Sequence, residues 1–185
     1  LGQISDKANS SFTIALKGLN GTSVDAFTSQ QVTEVENNYG NVYINRGSFY
    51  DVVERGTVFS GAYFDEIIQL DKLVNSIQLN VMDLLYQNPK IPQTEGGVSR
   101  IISTIVQANK NAVKTGFIAP GVWNGAPILN LDTGDYLPDG YVVQAESINE
   151  QSQADRDARK CPNLYNCIKL AGAIQSVVVE IDVNR

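Results

Sequence analysis

Between Asp65 and Gln87, apolar side chains recur every three or four positions, which is the spacing of one face of an α-helix. A helix of this length is roughly 35 Å long. It needs a second layer of structure to cover its apolar stripe, and this requirement constrains the fold more than any other feature of the sequence. The predicted stripe consists of Ile67, Leu70, Val74, Ile77, Val81 and Leu84.

A second helix is predicted directly after the first. The segment 88–92 contains two prolines and ends the first helix, and Thr94 with Glu95 supplies a typical helix start. Gly116 is suited to end the second helix because glycine adopts the left-handed conformation readily. The two helices are therefore predicted to form a hairpin, and the second one carries its apolar face on Val98, Ile101, Ile102, Ile105 and Val113.

The remaining segments are shorter and rich in β-branched and aromatic residues. A short helix is predicted over about 29–38, with the Thr28 hydroxyl as its N-cap, and a short exposed helix over 151–160. Residues 119–140 hold several prolines and glycines and predict a mostly irregular loop. Strands are predicted over 12–17, 42–45, 49–53, 57–59 and 141–145.

The C-terminal part of the sequence contains two alternating runs on either side of Gly172. This pattern predicts a β-hairpin or two consecutive strands that end at the last residues. Together the segments predict a fold that contains both helices and strands, α/β in the broad sense and α+β in the narrow one. A mixed sheet is expected to pack against the pair of long helices, and the C-terminus is expected to form β-strands. One domain over residues 1–185 is expected from the length.

Composition excludes several classes of function. The chain has no histidine, so a Ser-His-Asp or Cys-His nucleophile and an imidazole metal site are excluded. Its net charge of −6 argues against a nucleic-acid footprint spread over the whole domain. No apolar run reaches the length of a membrane span. Cys161 and Cys167 are too few for a zinc set, and we expect two free thiols.

Two loops resemble ligand-binding motifs only superficially. Asp132, Asp135 and Asp139 could supply oxygen ligands to Ca²⁺ or carboxylates to an enzyme, but their spacing is not that of an EF-hand loop. We interpret them as a surface turn in which Asp side chains cap backbone amides. In residues 17–23 the lysine precedes the glycines, unlike in a phosphate-binding loop, so this segment is also interpreted as a turn. The sequence thus predicts no catalytic residue, no metal site and no cofactor.

Two segments are candidates for contacts between subunits. Asp155, Arg156 and Arg159 lie in a dense charge run, which is either a solvated helix face or a set of paired charges against a neighbouring subunit. The run from Val177 to Val183 is either an edge strand of its own sheet or a strand added to another chain's sheet. The interaction residues predicted for this run are Val177, Val178, Val179, Ile181 and Val183.

Several longer motifs resemble those of bacteriophage structural proteins related to tail sheath subunits. They are Gly116-Phe-Ile-Ala-Pro-Gly121, Asp135-Tyr-Leu-Pro-Asp-Gly-Tyr141, Gln151-Ser-Gln-Ala-Asp-Arg-Asp-Ala-Arg159 and the closing run from Ile174 to Arg185. Upstream, the similarity continues through residues 57–65 and both long helices. The chain resembles the C-terminal portion of a sheath subunit, with the N-terminal portion absent, as the initial Leu1 also suggests.

The resemblance implies a structural role and no enzymatic activity. Sheath subunits form stacked rings around a tail tube, and their terminal extensions add strands to the sheets of neighbouring subunits. By this resemblance the chain would partner with itself in hexameric rings, with the tail tube protein and with the baseplate, but not with nucleic acid or a membrane. It would be assembled in the host bacterial cytoplasm and reside in the virion tail. The alternative expectation is another virion role, as a tail tube or baseplate component.

Overall fold

A computed structural model describes residues 11–183 of the chain, which divides into two compact units. Among the described residues, the first unit comprises Ser11 and 69–171, and the second comprises 12–68 and 172–183. The expectation of one domain over residues 1–185 stays a prediction. The elements are α1 (Ser29–Asn37), β1 (Tyr43–Arg46), β2 (Tyr50–Val53), α2 (Phe64–Gln87), α3 (Glu95–Lys114), β3 (Gly121–Val122), β4 (Tyr136–Leu137), β5 (Tyr141–Ala145), α4 (Gln153–Asp157) and β6 (Leu164–Ile168), with a 3₁₀ turn at Ile148–Glu150.

The helix starts follow from capping residues in the sequence. At α1, the Thr28 hydroxyl accepts a hydrogen bond from the backbone N–H of Gln31, and the Gln31 side chain accepts one from the N–H of Thr28. At α3, the Thr94 hydroxyl accepts from the N–H of Gly97 at 3.2 Å. Gly116, just beyond α3, has φ +78° and ends the helix in the left-handed conformation. The predicted boundaries of these helices are confirmed within a few residues.

The predicted apolar stripe on α2 is partly wrong. Leu73 and not Leu70 or Val74 is buried, and Leu70 and Val74 are exposed. The reason is that α2 carries apolar side chains on more than one face, so spacing alone does not identify the face that packs. On α3, by contrast, Val98, Ile101 and Ile105 are buried as predicted.

The strands form three separate antiparallel pairs: β1 with β2, β3 with β4, and β5 with β6. The α+β class is confirmed, but the expected mixed sheet is divided into two-stranded ribbons among the described residues. In the first unit, β5 and β6 pair over five residues each, from Tyr141 opposite Ile168 to Ala145 opposite Leu164.

Two local predictions were wrong. Residues 12–17 do not form a strand, because Leu16 has φ +58° and turns the chain. Residues 57–59 contribute only an isolated bridge between Thr57 and Tyr63. The prediction of a mostly irregular loop over 119–140 is confirmed, although the loop also contains the short strands β3 and β4.

Each unit has its own hydrophobic core. In the first, Leu73 of α2 and Ala108 and Ala112 of α3 pack with Phe117 and Ile118. A second cluster in this unit places Cys167 of β6 against residues of the loop 119–140, namely Leu131 and Leu137. In the second unit, α1 covers the β1–β2 ribbon through Val32, Val42 and Ile44. Both cysteines are free thiols. Within residues 11–183, no helix is long and apolar enough to cross a membrane.

Candidate subunit-interaction surface

The C-terminal segment, residues 172–183, contains no strand or helix. The predicted C-terminal hairpin is therefore wrong: the first alternating run forms β6, which pairs with β5, and the second run pairs with nothing among residues 11–183. The resemblance was carried by a closing run that extends to Arg185, but residues 184–185 lie outside the described ones. The large apolar side chains of the segment are 75–86% exposed, and they are Ile174, Val177, Val178, Val179, Ile181 and Val183.

The sequence of this segment is typical of a strand that buries one face. From residue 177 to 183 every odd position is Val or Ile, while Glu180 and Asp182 occupy two of the even positions. In an extended chain these two sets point to opposite sides. Exposed apolar side chains that are contiguous and flanked by charges mark an interaction site in a soluble protein. The segment has the residue pattern of a strand with one apolar face, and that face is exposed.

The hydrogen bonding of the chain stops abruptly before this segment. The N–H of Lys169 donates to the carbonyl of Gly140 at 2.7 Å, and the N–H of Ala171 donates to the carbonyl of Phe117 at 2.9 Å. Beyond Ala171, no hydrogen bond joins residues 172–183 to any other described residue. Residues 164–171 are thus the last part of the chain held firmly in the first unit.

The charged helix α4 is shorter than predicted, and some of its charged side chains bond to groups of the same segment. The Lys160 ammonium lies 2.8 Å from a carboxylate oxygen of Asp155, and this hydrogen bond lowers the pKa of Asp155 and raises that of Lys160. Arg156 donates to the carbonyl of Ile148 at 3.4 Å. Arg159 is exposed and makes no salt bridge with another described residue. Of the three predicted residues, only Asp155 has an ion partner in this part of the chain, while Arg156 and Arg159 make no salt bridge with another described residue.

The Asp-rich loop behaves as a turn. The Asp135 carboxylate accepts a hydrogen bond from the backbone N–H of Asp132 at 2.8 Å, as predicted for a side chain that caps backbone amides. The structure shows no group of three or more metal-ligating side chains within residues 11–183.

Sequence reasoning missed a second exposed apolar surface. On α2, Leu79, Met82 and Tyr86 are 58–89% exposed. They follow the i, i+3, i+7 spacing of one helix face, opposite the buried Leu73. This spacing is present in the sequence, but α2 has apolar residues on several faces, so the spacing did not distinguish this face from the others.

The fold is similar to that of a chain in the six-fold symmetrised cryo-EM structure of the anti-feeding prophage (AFP) baseplate. The similarity has a TM-score of 0.69 at 14% sequence identity and covers 100% of this chain and 48% of that one. At this identity the likeness defines the fold alone. The chain spans about half the length of the solved chain that it matches.

The class of protein follows from a match to a family model. The matched residues, 64–183, contain both long helices, the β5–β6 ribbon and the C-terminal segment, and they define a domain of the tail-sheath-like class. It belongs to the family described as E217 tail sheath protein gp31-like, C-terminal domain. Membership confirms the resemblance to sheath proteins that the sequence motifs suggested.

A shorter similarity concerns an unrelated class. Over 56 residues the chain is 36% identical to GTPase Der of Chlorobium phaeobacteroides (strain DSM 266 / SMG 266 / 2430), which is 30% of this chain and 13% of that protein. The sequence contains no Gly-x-x-x-x-Gly-Lys motif. Residues 17–23 form turns, in which the N–H of Thr22 donates to the carbonyl of Leu19. No nucleotide-binding role follows from this short match.

Proposed function

We propose that the chain is part of a contractile-tail sheath subunit that assembles into stacked, hexameric rings around the tail tube. The C-terminal segment is the element exchanged between subunits, and it adds as an extended strand to a neighbour. The observation that carries this proposal is the exposure of its odd-numbered apolar face, combined with its lack of hydrogen bonds to other described residues. Membership in a sheath family supports the same role.

The physical properties of an added strand suit a contracting assembly. Main-chain hydrogen bonds hold an exchanged strand along its length, while a flexible connection lets the body of the subunit rotate. A strand of about nine residues spans roughly 30 Å, which is enough to bridge adjacent subunits. Each tether raises the effective concentration of the next contact, so many weak contacts become strong together. Arg159, in the turn that follows α4, is proposed to face the tube or an adjacent subunit together with Asp155 and Arg156 of that helix.

The test is electron microscopy of the full-length protein with matched substitutions in the C-terminal segment. Val179→Thr with Ile181→Thr removes apolar surface from the odd face while keeping β-branched side chains. Glu180→Thr with Asp182→Thr places the same residue type on the even face. We expect the first pair to abolish rings, tubes or polysheaths and the second pair to preserve them. Equal assembly of both variants would contradict the proposal.

A second candidate role is a baseplate component, since the structurally similar chain comes from a baseplate assembly. The partners proposed here, namely further copies of the chain, the tail tube protein and the baseplate, differ in their position in the virion. Separation of contracted sheaths from tubes and baseplates, followed by mass spectrometry, distinguishes the roles. A sheath subunit is expected in the sheath fraction in many copies, whereas enrichment in the baseplate fraction would favour the second candidate.

A further inference from the structure

The side chains of Asn109 and Asn166 form an isolated polar contact inside the first unit. Asn109 lies on α3 and is 0% exposed. Its amide nitrogen donates to the Asn166 side-chain oxygen at 2.7 Å, and the Asn166 amide nitrogen donates back to the Asn109 oxygen at 3.1 Å. The two amides thus satisfy each other across 57 residues of sequence.

This pair lies on the route by which the C-terminal segment joins the first unit. Asn166 is at the centre of β6, and the chain leaves β6 through 169–171 before the segment begins. Any pull on the segment therefore reaches the first unit through β6. A segment that links subunits can transmit force only if β6 stays in place in the first unit when the segment is pulled.

The backbone ladder with β5 and the apolar contacts of β6 do not by themselves select one register, because a slip of two residues preserves the alternation of side chains. Leu164 and Ile168 lie two residues on either side of Asn166, so they point to the same face of the strand. Such a slip would keep that face mostly apolar, but it would place Leu164 or Ile168 against Asn109 and leave the buried Asn109 amide without its partner. Buried polar groups that lose their partners are costly, so the pair favours one register over the slipped ones.

We propose that Asn109 and Asn166 are positioning residues that fix the register of β6 on α3 and so anchor the exchanged C-terminal segment. This proposal rests on the proposed function, in which the C-terminal segment links one subunit to the next. Its test uses the unassembled chain, so failure of the anchor and failure of ring assembly are distinguishable.

The first measurement is hydrogen exchange of backbone amides, resolved by segment. Asn166→Leu leaves the buried Asn109 amide without its partner, and Asn109→Leu does the same to the half-buried Asn166 amide. We expect exchange over 164–171 to accelerate about tenfold in each variant. The β1–β2 ribbon should keep its protection. Asn111→Ala, an exposed position on the same helix, is the matched control and should change neither region. Uniform acceleration over the chain, or no acceleration at 164–171, would overturn the proposal.

The double variant Asn109→Leu/Asn166→Leu separates anchoring from general stability. With both amides gone no polar group is orphaned, so its melting temperature should lie close to that of the wild type. When the chain is pulled in optical tweezers between its C-terminus and a handle at the exposed Lys90, the double variant should release β6 at lower force than the wild type. The single variants, if poorly folded, are not needed for this comparison. An unchanged rupture force in a stably folded double variant would refute the anchoring role.

Discussion

Residues 164–171 and residues 172–183 are adjacent in sequence and similar in composition, yet the structure treats them differently. The first stretch pairs with β5, buries Cys167 and is bonded to Gly140 and Phe117. The second exposes nearly all of its Val and Ile side chains and makes no hydrogen bond with another described residue. A segment with high strand propensity forms a strand only when it can pair with the free edge of another strand. This contrast is the basis of the proposal that the second stretch pairs with a neighbouring subunit.

Truncation of buried side chains should show the largest contrast between the two regions. Ile118, 1% exposed, packs in the core of the first unit, and Ile118→Ala should lower the free energy of unfolding by about 2–5 kcal/mol through lost burial and a cavity. Val178→Ala in the C-terminal segment should change it by less than about 0.5 kcal/mol. Urea unfolding of the unassembled protein measures both. A large effect of Val178→Ala would show that the segment packs on its own chain.

A buried carboxyl in the second unit should make the free energy of unfolding depend on pH. Asp65 is 8% exposed, one of its oxygens has no hydrogen-bond partner, and burial raises its pKa. A carboxyl pKa raised by folding penalises the ionised native state, so this contribution should improve stability as pH falls through the folded pKa toward the ordinary value.

Asp65→Asn should remove that pH dependence, and Glu180→Gln in the exposed segment should leave it intact. Urea unfolding between pH 4 and pH 7 measures the slope for each variant. The same slope in wild type and Asp65→Asn would assign the effect to another group.

Removal of the C-terminal segment should have the smallest effect on the isolated chain. Limited proteolysis should cut within 172–183 before it cuts β6, because cleavage requires an accessible extended backbone. The product ending near Ala171 should melt within about 1 °C of the intact protein, since the lost residues bury little surface in it. A large drop in melting temperature would show that the segment packs on its own chain, which contradicts the difference described between residues 164–171 and 172–183.

The sequence predicted best where local signals agree with packing. Thr28, Thr94 and Gly116 determine helix ends through their own side chains or backbone conformations, so α1 and α3 could be placed from local pattern alone. The buried face of α2 could not, because Leu70 and Leu73 are both apolar and only the tertiary partner selects between them. Strands β3 and β4 have two residues each, too few for a periodic signal.

The candidate site was predicted in part for a similar reason. The alternation of residues 177–183 predicted an apolar face, and the structure leaves these side chains exposed, but the segment forms no strand because it pairs with no edge among the described residues. The apolar α2 surface at Leu79, Met82 and Tyr86 was missed because its spacing matches that of a core-facing stripe. Single-sequence patterns thus identify a face that can be buried, but not the molecule that buries it.

The most direct test of the account is a cryo-EM map of the assembled protein at a resolution that traces the backbone of residues 174–183. If the C-terminal segment is exchanged between subunits, these residues should give continuous density as a strand on an adjacent subunit, with Val177, Val179, Ile181 and Val183 buried at the contact. Density that folds back onto the same subunit, or that leaves this apolar face in solvent within an intact ring, would contradict it.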